Sequence, residues 1–479
     1  MPRVWPLVWA VILVALVTWP FAMPGEFLWR DMAVPDHFGF IPENFGAGDL
    51  PARNVPQDGA LALFSMFAPA SWLVRAVVIG AAGCAAAGGW MLAKSAPAPA
   101  MALAVVNPFV VERLLQGHWS VAVAAWMLPA IAATALRGHR TWAWLGMFVA
   151  SLTPTGGLLA LVCGTVTARG FRLPTAGVGV ALCLPWIIPG VLSPPLSPSP
   201  AAVAAFAPRA ESSVGTLGSL LTLGGIWNAA ALPPSRQVGF ALFGLVVALC
   251  VALGVRRMDR PLPLVLLAIT GWGLSGALWL YPDTLAAAME HLPGSGLLRD
   301  SHKLVALAIP FCVAAVGTMQ ASWRVVAVAA IFLQMPDFSS ALGVLAPRPA
   351  ETINARLVGQ LSGRTAFFPE RTGLIDIPGA VAVDPYTKAV SMVHSGQLTV
   401  DGEVIDPPSP RFVAAQAAWA AGDMGKLEEM GIGAVVVDGA VVATTAAARP
   451  AVPWVLTTAW AFSPVLLVGA AAYRRARQR

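Results

Sequence analysis

Charge is scarce in this sequence of 479 residues: 11% are charged and 57% are hydrophobic, where a soluble chain carries roughly a quarter charged residues. That shortage excludes a chain folded wholly in water, because too little polar surface exists to cover it. Cysteine is equally uninformative as a scaffold. Cys84, Cys163, Cys183, Cys250 and Cys312 all sit inside apolar runs without CxxC spacing, which suggests neither a disulfide framework nor a zinc site. No P-loop, GxGxxG after a strand, HExxH or GxSxG is present, so ATP-driven transport and zinc or serine hydrolysis lack a motif. The net charge is +6, yet no Lys/Arg cluster with interleaved aromatics lies on a soluble segment, and no nucleic-acid partner is expected. The densest basic run, Arg474, Arg475, Arg477 and Arg479, reads as a membrane anchor.

What is abundant is apolar sequence in runs of roughly 15 to 22 residues bounded by Arg, Lys, Pro or polar clusters, the pattern of bilayer-spanning helices. Spans are expected at 3–23, 71–93, 95–109, 120–136, 141–152, 156–168, 173–192, 238–255, 262–280, 303–319, 323–337 and 453–473. The first reads as a retained helix rather than a signal peptide, because of its length and the many later spans. On this threading the loops with Arg3, Lys94, Arg137, Arg140, Arg169, Arg172, Arg256, Arg257, Arg260, Arg324 and the Arg-rich tail share one side, which is then the cytoplasm. Asp259 is the one acidic residue on that side. The hinge of the threading is 151–157, Ser-Leu-Thr-Pro-Thr-Gly-Gly, where one long helix instead of two short ones would invert everything downstream.

The expected fold is thus an α-helical polytopic membrane protein of about 12 transmembrane helices. Residues 1–337 form the transmembrane domain with large outer loops 24–70 and 193–237, residues 338–452 a small extracytoplasmic α/β domain, and 453–479 a final helix and basic cytoplasmic tail. Strand-like runs at 365–368, 380–383 and 434–438 alternate with helix-like runs at 412–421 and 424–430. Asp376, Asp384, Tyr386, His394, Asp401 and Asp438 lie in that domain without metal-ligand spacing.

Three outer clusters can carry chemistry. Loop 24–70 places Asp31 and Asp36 at the membrane face, where a partly desolvated carboxylate can act as a base; the competing account of Asp31 is a juxtamembrane ion pair with Arg30. Farther along, Asn44, Asp49, Arg53, Asn54, Gln57 and Asp58 lie in a loop too long for a mere connector. In 107–119, Glu112 and Gln116 share one helical face, while Arg113 and His118 turn toward the head groups. Such a set can hold a phosphate, or it forms an interfacial hairpin with Trp119 in the aromatic belt. Arg299, His302 and Lys303 gather at the start of a span, where a helix N-terminus also favours an anion. Arg75 is either a further phosphate ligand or a snorkelling side chain. In loop 193–237, Arg209, Glu211, Trp227, Asn228 and Arg236 flank an apolar stretch, 217–226, suited to a short re-entrant or interfacial helix.

The order of one N-terminal span, a long acidic outer loop, short broken spans and a late outer α/β domain resembles the GT-C superfamily of integral-membrane glycosyltransferases. Residues 107–119 before an apolar span, the break at 151–157 and residues 298–303 before another span are similar to actinobacterial-type arabinosyl- and mannosyltransferase-like proteins. The resemblance implies transfer of a sugar from a polyprenyl-phosphate donor to an envelope glycan, glycolipid or glycoprotein acceptor, at the extracytoplasmic face of the plasma membrane, with both termini cytoplasmic. By position it carries an essential carboxylate onto Asp31, with Asp36 as a second position, and donor-phosphate contacts onto Arg113, Arg299, His302 and Lys303. Glu112, His118 and Asp58 fall in substrate loops. A divalent cation, Mg or Mn, is often required in that family. The loop lacks the adjacent acidic pair many members show. Two other classes stay open: a transporter of lipid or polyprenyl-linked sugar, and a non-catalytic envelope-assembly partner.

Overall fold

The computed structural model describes residues 4–192, 201–259, 261–292, 294–348, 353–400 and 402–458. The proline-rich tract 194–200, Arg3, Arg260, Asp401 and most of the expected span 453–473 with its basic tail lie outside these residues. Among them, seven helices are long and apolar enough to cross a membrane: Trp5–Ala22, Ala70–Leu92, Pro97–Leu115, Trp119–Leu136, Arg172–Leu192, Leu262–Leu280 and Ala321–Leu345. Three shorter apolar helices, Pro154–Thr167, Leu242–Val255 and Ser301–Val316, accompany them. Such a set indicates a helical, membrane-embedded protein.

Proline does much of the punctuation. It stands in the first turn of Pro97–Val105, Pro108–Leu115, Pro154–Thr167 and Ile309–Val316, where its missing N–H costs no helical hydrogen bond. The span at 97–115 is therefore broken: Val106 and Asn107 are extended, and the Asn107 side chain caps the second segment by accepting from Val110 N at 3.1 Å. The hinge at Thr153–Pro154 resolves the same way. Thr153 is extended between Arg140–Ala150 and Pro154–Thr167, and Arg140 and Trp144 at the start of the first helix contact Phe171, just beyond the end of the second. The two helices are an antiparallel hairpin.

Pro97–Leu115 and Trp119–Leu136 are 94% and 89% buried, against 28% for Trp5–Ala22 and Leu262–Leu280, so the other helices wrap this central pair. At one end of the bundle Lys94 pairs with Asp259 at 2.9 Å, the backbone amides of residues 94–96 donate to Gly317 O, and Arg137 donates to Met91 O. These are loops the charge pattern groups together. At the other end, loops 24–70, 211–237 and 299–303 meet residues 348–411. Phe338, Leu342 and Leu345 belong to the main core, with Ser339 bonded to Leu16 O, so the α/β unit begins later than the expected 338.

That unit contains Ala366–Phe367 parallel to Ala434–Val437, which is antiparallel to Ala440–Thr444. Asp438 and Gly439, both at positive φ, make the connecting turn. Ala434 and Val436 face one core, with Leu357, Leu361 and Tyr386; Val435 faces another, with Phe412, Ala415 and Leu427. The short sheet is covered on both faces. A seam ties it to the first loop: Lys388 Nζ to Asp58 Oδ2 at 2.6 Å, Arg411 to Asp49 at 3.1 Å, and Ser391 Oγ donating to Glu43 Oε1 at 2.7 Å.

Burial in this seam, helped by the charge of Asp49, pushes the Glu43 carboxyl up to about 7. The folded state then holds a proton that the unfolded chain, titrating near 4.5, has lost. Stability contributed by protonated Glu43 is fully present below about pH 4.5 and lost as pH rises through about 7. Glu43→Gln is expected to remove that component, so the difference in thermal midpoint between variant and wild type grows from pH 4.5 to 7 and then levels. Parallel pH profiles would contradict this.

Candidate functional site

Asp31 sits at the tip of a two-stranded hairpin, Phe27–Trp29 against Met32–Val34, all six of whose strand residues are buried. The tip is fixed from below. Asp31 N donates to Gln116 O, Trp29 Nε1 donates to Leu115 O at 2.8 Å, and a Cβ on Gly117 would lie 2.6 Å from Met32 N and Trp29 O. Only glycine, here at φ +85°, permits that approach. From above, Val383 N of the α/β unit donates to Arg30 O, and Ile375 and Ala382 pack on Leu28 and Ala33. Arg30 itself has φ 50°, a costly conformation for a side-chain-bearing residue that this framework imposes. Its guanidinium bonds Ala230 O rather than Asp31.

The Asp31 carboxylate is 45% exposed. Its Oδ2 accepts from Gln116 Nε2 at 2.6 Å and lies 3.2 Å from His118 Nε2; among the described residues Oδ1 has no such partner. Arg113 Nη1 lies 3.2 Å from His118 Nδ1. A guanidinium offers only donors, so Nδ1 is the acceptor and the His118 proton is on Nε2, pointing at Asp31. Burial holds the His118 imidazole below its usual pKa, Asp31 opposing. Partial burial works against ionisation of Asp31, but His118, Gln116 and the nearby Lys303 charge outweigh it and hold its carboxyl below the ordinary value.

Behind this pair lies a fully enclosed ionic cluster. Arg113 grips Asp300 with two nitrogens at 2.6 and 2.9 Å and donates to His302 Nδ1 at 2.7 Å. Glu112 accepts from Ile226 N at 3.0 Å and lies 3.7 Å from Arg236, which also pairs with Glu211. A side chain at Gly224 would strike Glu112, Glu211 and Arg236 together. Glu112 and Gln116 share one face, as their spacing predicts, and Gln116 Oε1 accepts from Asn228 at 2.7 Å.

Near Asp31 lies Lys303, 21% exposed and 3.5 Å from Asp300, and Arg299 pairs with Asp406. Arg53 lies 3.6 Å from Asp406 and feels the charges of Arg299 and Asp31. Of the residues read as phosphate ligands, Arg299 and Lys303 are partly buried, with 12% and 21% of their side chains exposed. Arg113 and His302 are completely buried, and Arg113 is spent on Asp300 and two histidines. Arg113 turns inward rather than toward the head groups, His118 turns to Asp31, and Trp119 is buried rather than in an aromatic belt. Asp36 is also removed from the site. It accepts from Ser71 Oγ at 2.5 Å and from Ala70 N through its carbonyl, anchoring the start of Ala70–Leu92. Asp58 is locked to Lys388 and Gln57 in the seam. Arg75 is a brace, donating to Met23 O and Gly25 O across the Phe27 ring. The stretch 217–226 forms a helix, Gly215–Leu221, with Leu217 and Leu221 exposed, followed by a buried loop.

Asp300 and Asp406 are the residues sequence reasoning passed over. Asp300 was visible between Arg299 and Lys303 as the one acidic side chain in a basic run; nothing local marks Asp406. Among the described residues no group of three or more His, Cys, Asp or Glu is arranged to hold a metal, and Asp31 and Asp406 have partners of their own. The divalent cation implied by the resemblance has no fitting set of ligands among the described residues. Comparisons of the chain with protein-family models, curated proteins and solved structures find no match.

Proposed function

We propose that the protein is a GT-C-like membrane glycosyltransferase of about twelve spans, with its small α/β domain and active face extracytoplasmic and both termini in the cytoplasm. It transfers a sugar from a polyprenyl-phosphate donor to an envelope glycan, glycolipid or glycoprotein. The observation that carries this reading is the exposed Asp31 carboxylate, oriented by His118 and Gln116 and within reach of the charges of Lys303 and Arg53, with Arg299 beside Arg53 on Asp406. Orientation is supported by Lys94, Arg137 and Arg140 at the opposite end, since the basic end of a bundle faces the cytoplasm.

In this mechanism the acceptor hydroxyl attacks the anomeric carbon while the bond from that carbon to the phosphate oxygen breaks. Asp31 Oδ1 takes the hydroxyl proton. His118 and Gln116, both on Oδ2, hold the carboxylate so that its free oxygen meets the acceptor. Negative charge accumulates on the departing polyprenyl phosphate, and Lys303 and Arg299 stabilise it there more than in the ground state.

Lys303→Gln should lower kcat/KM for transfer by roughly ten- to a hundredfold, the scale of one hydrogen bond to a charged group. The measurement is radiolabelled sugar transfer by purified protein in lipid, across a concentration series of polyprenyl-phosphate donor. An unchanged kcat/KM would remove Lys303 from the site.

A further inference from the structure

Arg299, Arg53 and Asp406 come from three distant segments: the approach to Ser301–Val316, the first loop, and the end of strand Glu403–Asp406 in the α/β unit. One carboxylate serves two guanidiniums, and serves them poorly. Arg299 reaches both Asp406 oxygens with the same nitrogen, Nη1, at 3.1 and 3.2 Å, while Arg53 stands off at 3.6 Å. Neither arginine uses the paired-donor edge that matches a carboxylate or phosphate. Arg299 has a second hold besides Asp406: it stacks 4.0 Å above the Phe206 ring, which in turn packs on Trp227 at 4.7 Å. The strands carrying Asp406 are held here through one small apolar cluster, in which Ile405, Leu398 and Val400 meet Ala202, Phe206 and Trp227, while Glu403 and Val404 are exposed.

We propose that Arg53 and Arg299 form an anion subsite for a phosphate group, closed in this structure by Asp406, and that the incoming phosphate displaces Asp406 and releases strand Glu403–Asp406. A phosphate monoester offers three terminal oxygens where Asp406 offers two, and can accept from both guanidinium forks at once. Asp406 therefore acts as a built-in competitor that keeps two like charges together until ligand arrives. This proposal rests on the reading of the Asp31 face as a phosphate-ligand site, but not on sugar transfer.

The test uses the purified full-length protein and two probes, farnesyl phosphate and inorganic phosphate, with binding measured by isothermal titration. Asp406→Asn should tighten farnesyl phosphate binding about tenfold, and Arg53→Gln or Arg299→Gln should weaken it by at least as much, since a charge-assisted hydrogen bond has that scale. Tightening for both probes marks the phosphate itself as the ligand; tightening for farnesyl phosphate alone marks a lipid-linked one. Hydrogen exchange on wild type gives a readout independent of any variant: amides of strand Glu403–Asp406 should lose protection when farnesyl phosphate binds. If farnesyl phosphate binds but Asp406→Asn has no effect and the strand stays protected, the displacement idea is overturned and the phosphate reading stands. If neither wild type nor Asp406→Asn binds either probe, both fall. Binding and displacement without sugar transfer would sink the glycosyltransferase reading alone.

Discussion

Asp31→Asn should reduce sugar transfer roughly a hundred- to ten-thousandfold, the range for removing a general base, while leaving the protein folded. Asparagine keeps the shape and can still accept from His118 and Gln116, but it cannot take a proton. Asp36→Asn is the matched control, since Asp36 serves the start of a helix through Ser71 and does not face the cations. It should leave transfer nearly intact. The pH profile carries a signature as well. Activity needs ionised Asp31, whose pKa is held below 3.8, so the acid limb of kcat/KM lies below that value. His118→Ala removes one of the interactions responsible and should move the limb upward. A limb that stays in place would mean His118 does not orient Asp31.

Asp300→Ala is expected to be the most destabilising single change in the site, by about 3–5 kcal/mol, because it leaves Arg113 charged and unpaired where no water reaches. Arg113 and the flanking Lys303 hold the Asp300 carboxyl, against its burial, well below the usual range. Its folded-state pKa is depressed, so the stability of this pair is present above the ordinary carboxylate pKa and is lost only as pH falls into strongly acid solution. Replacing both partners with apolar residues of similar size, Arg113→Met with Asp300→Leu, should restore most of the thermal midpoint. It should not restore transfer, because His118 Nδ1 loses the donor that fixes its tautomer. If the double variant were both stable and fully active, the ionic cluster would be packing alone.

The sequence shows well what is decided locally. Apolar runs bounded by prolines mark the spans, Thr153–Pro154 marks the hairpin, and short β-branched runs mark strands such as Ala380–Val383. The four-residue spacing puts Glu112 and Gln116 on one face, and the position of Asp31 just after the first span points to the site. Partnerships across the chain are different. Arg113 finds Asp300 across 187 positions, and Asp58 finds Lys388 across 330. Read in isolation, Arg113 and His302 are unpaired cations and therefore phosphate ligands, and Asp58 is an unpaired acid in a long loop. Once folded, Arg113 and Asp58 are neutralised by residues that no periodicity connects to them, and His302 is buried as an acceptor for Arg113. Arg299 and Arg53 are left to share the single carboxylate of Asp406, and Lys303 shares Asp300 with Arg113.

The most direct test of the central claim is transfer of radiolabelled sugar from a panel of polyprenyl-phosphate donors to envelope acceptors, with purified wild type and Asp31→Asn assayed side by side. Labelled product from wild type and none from Asp31→Asn is the predicted result. Equal product from both would reject Asp31 as the base, and no product from wild type with any donor would contradict the glycosyltransferase account and favour a transporter or an assembly partner.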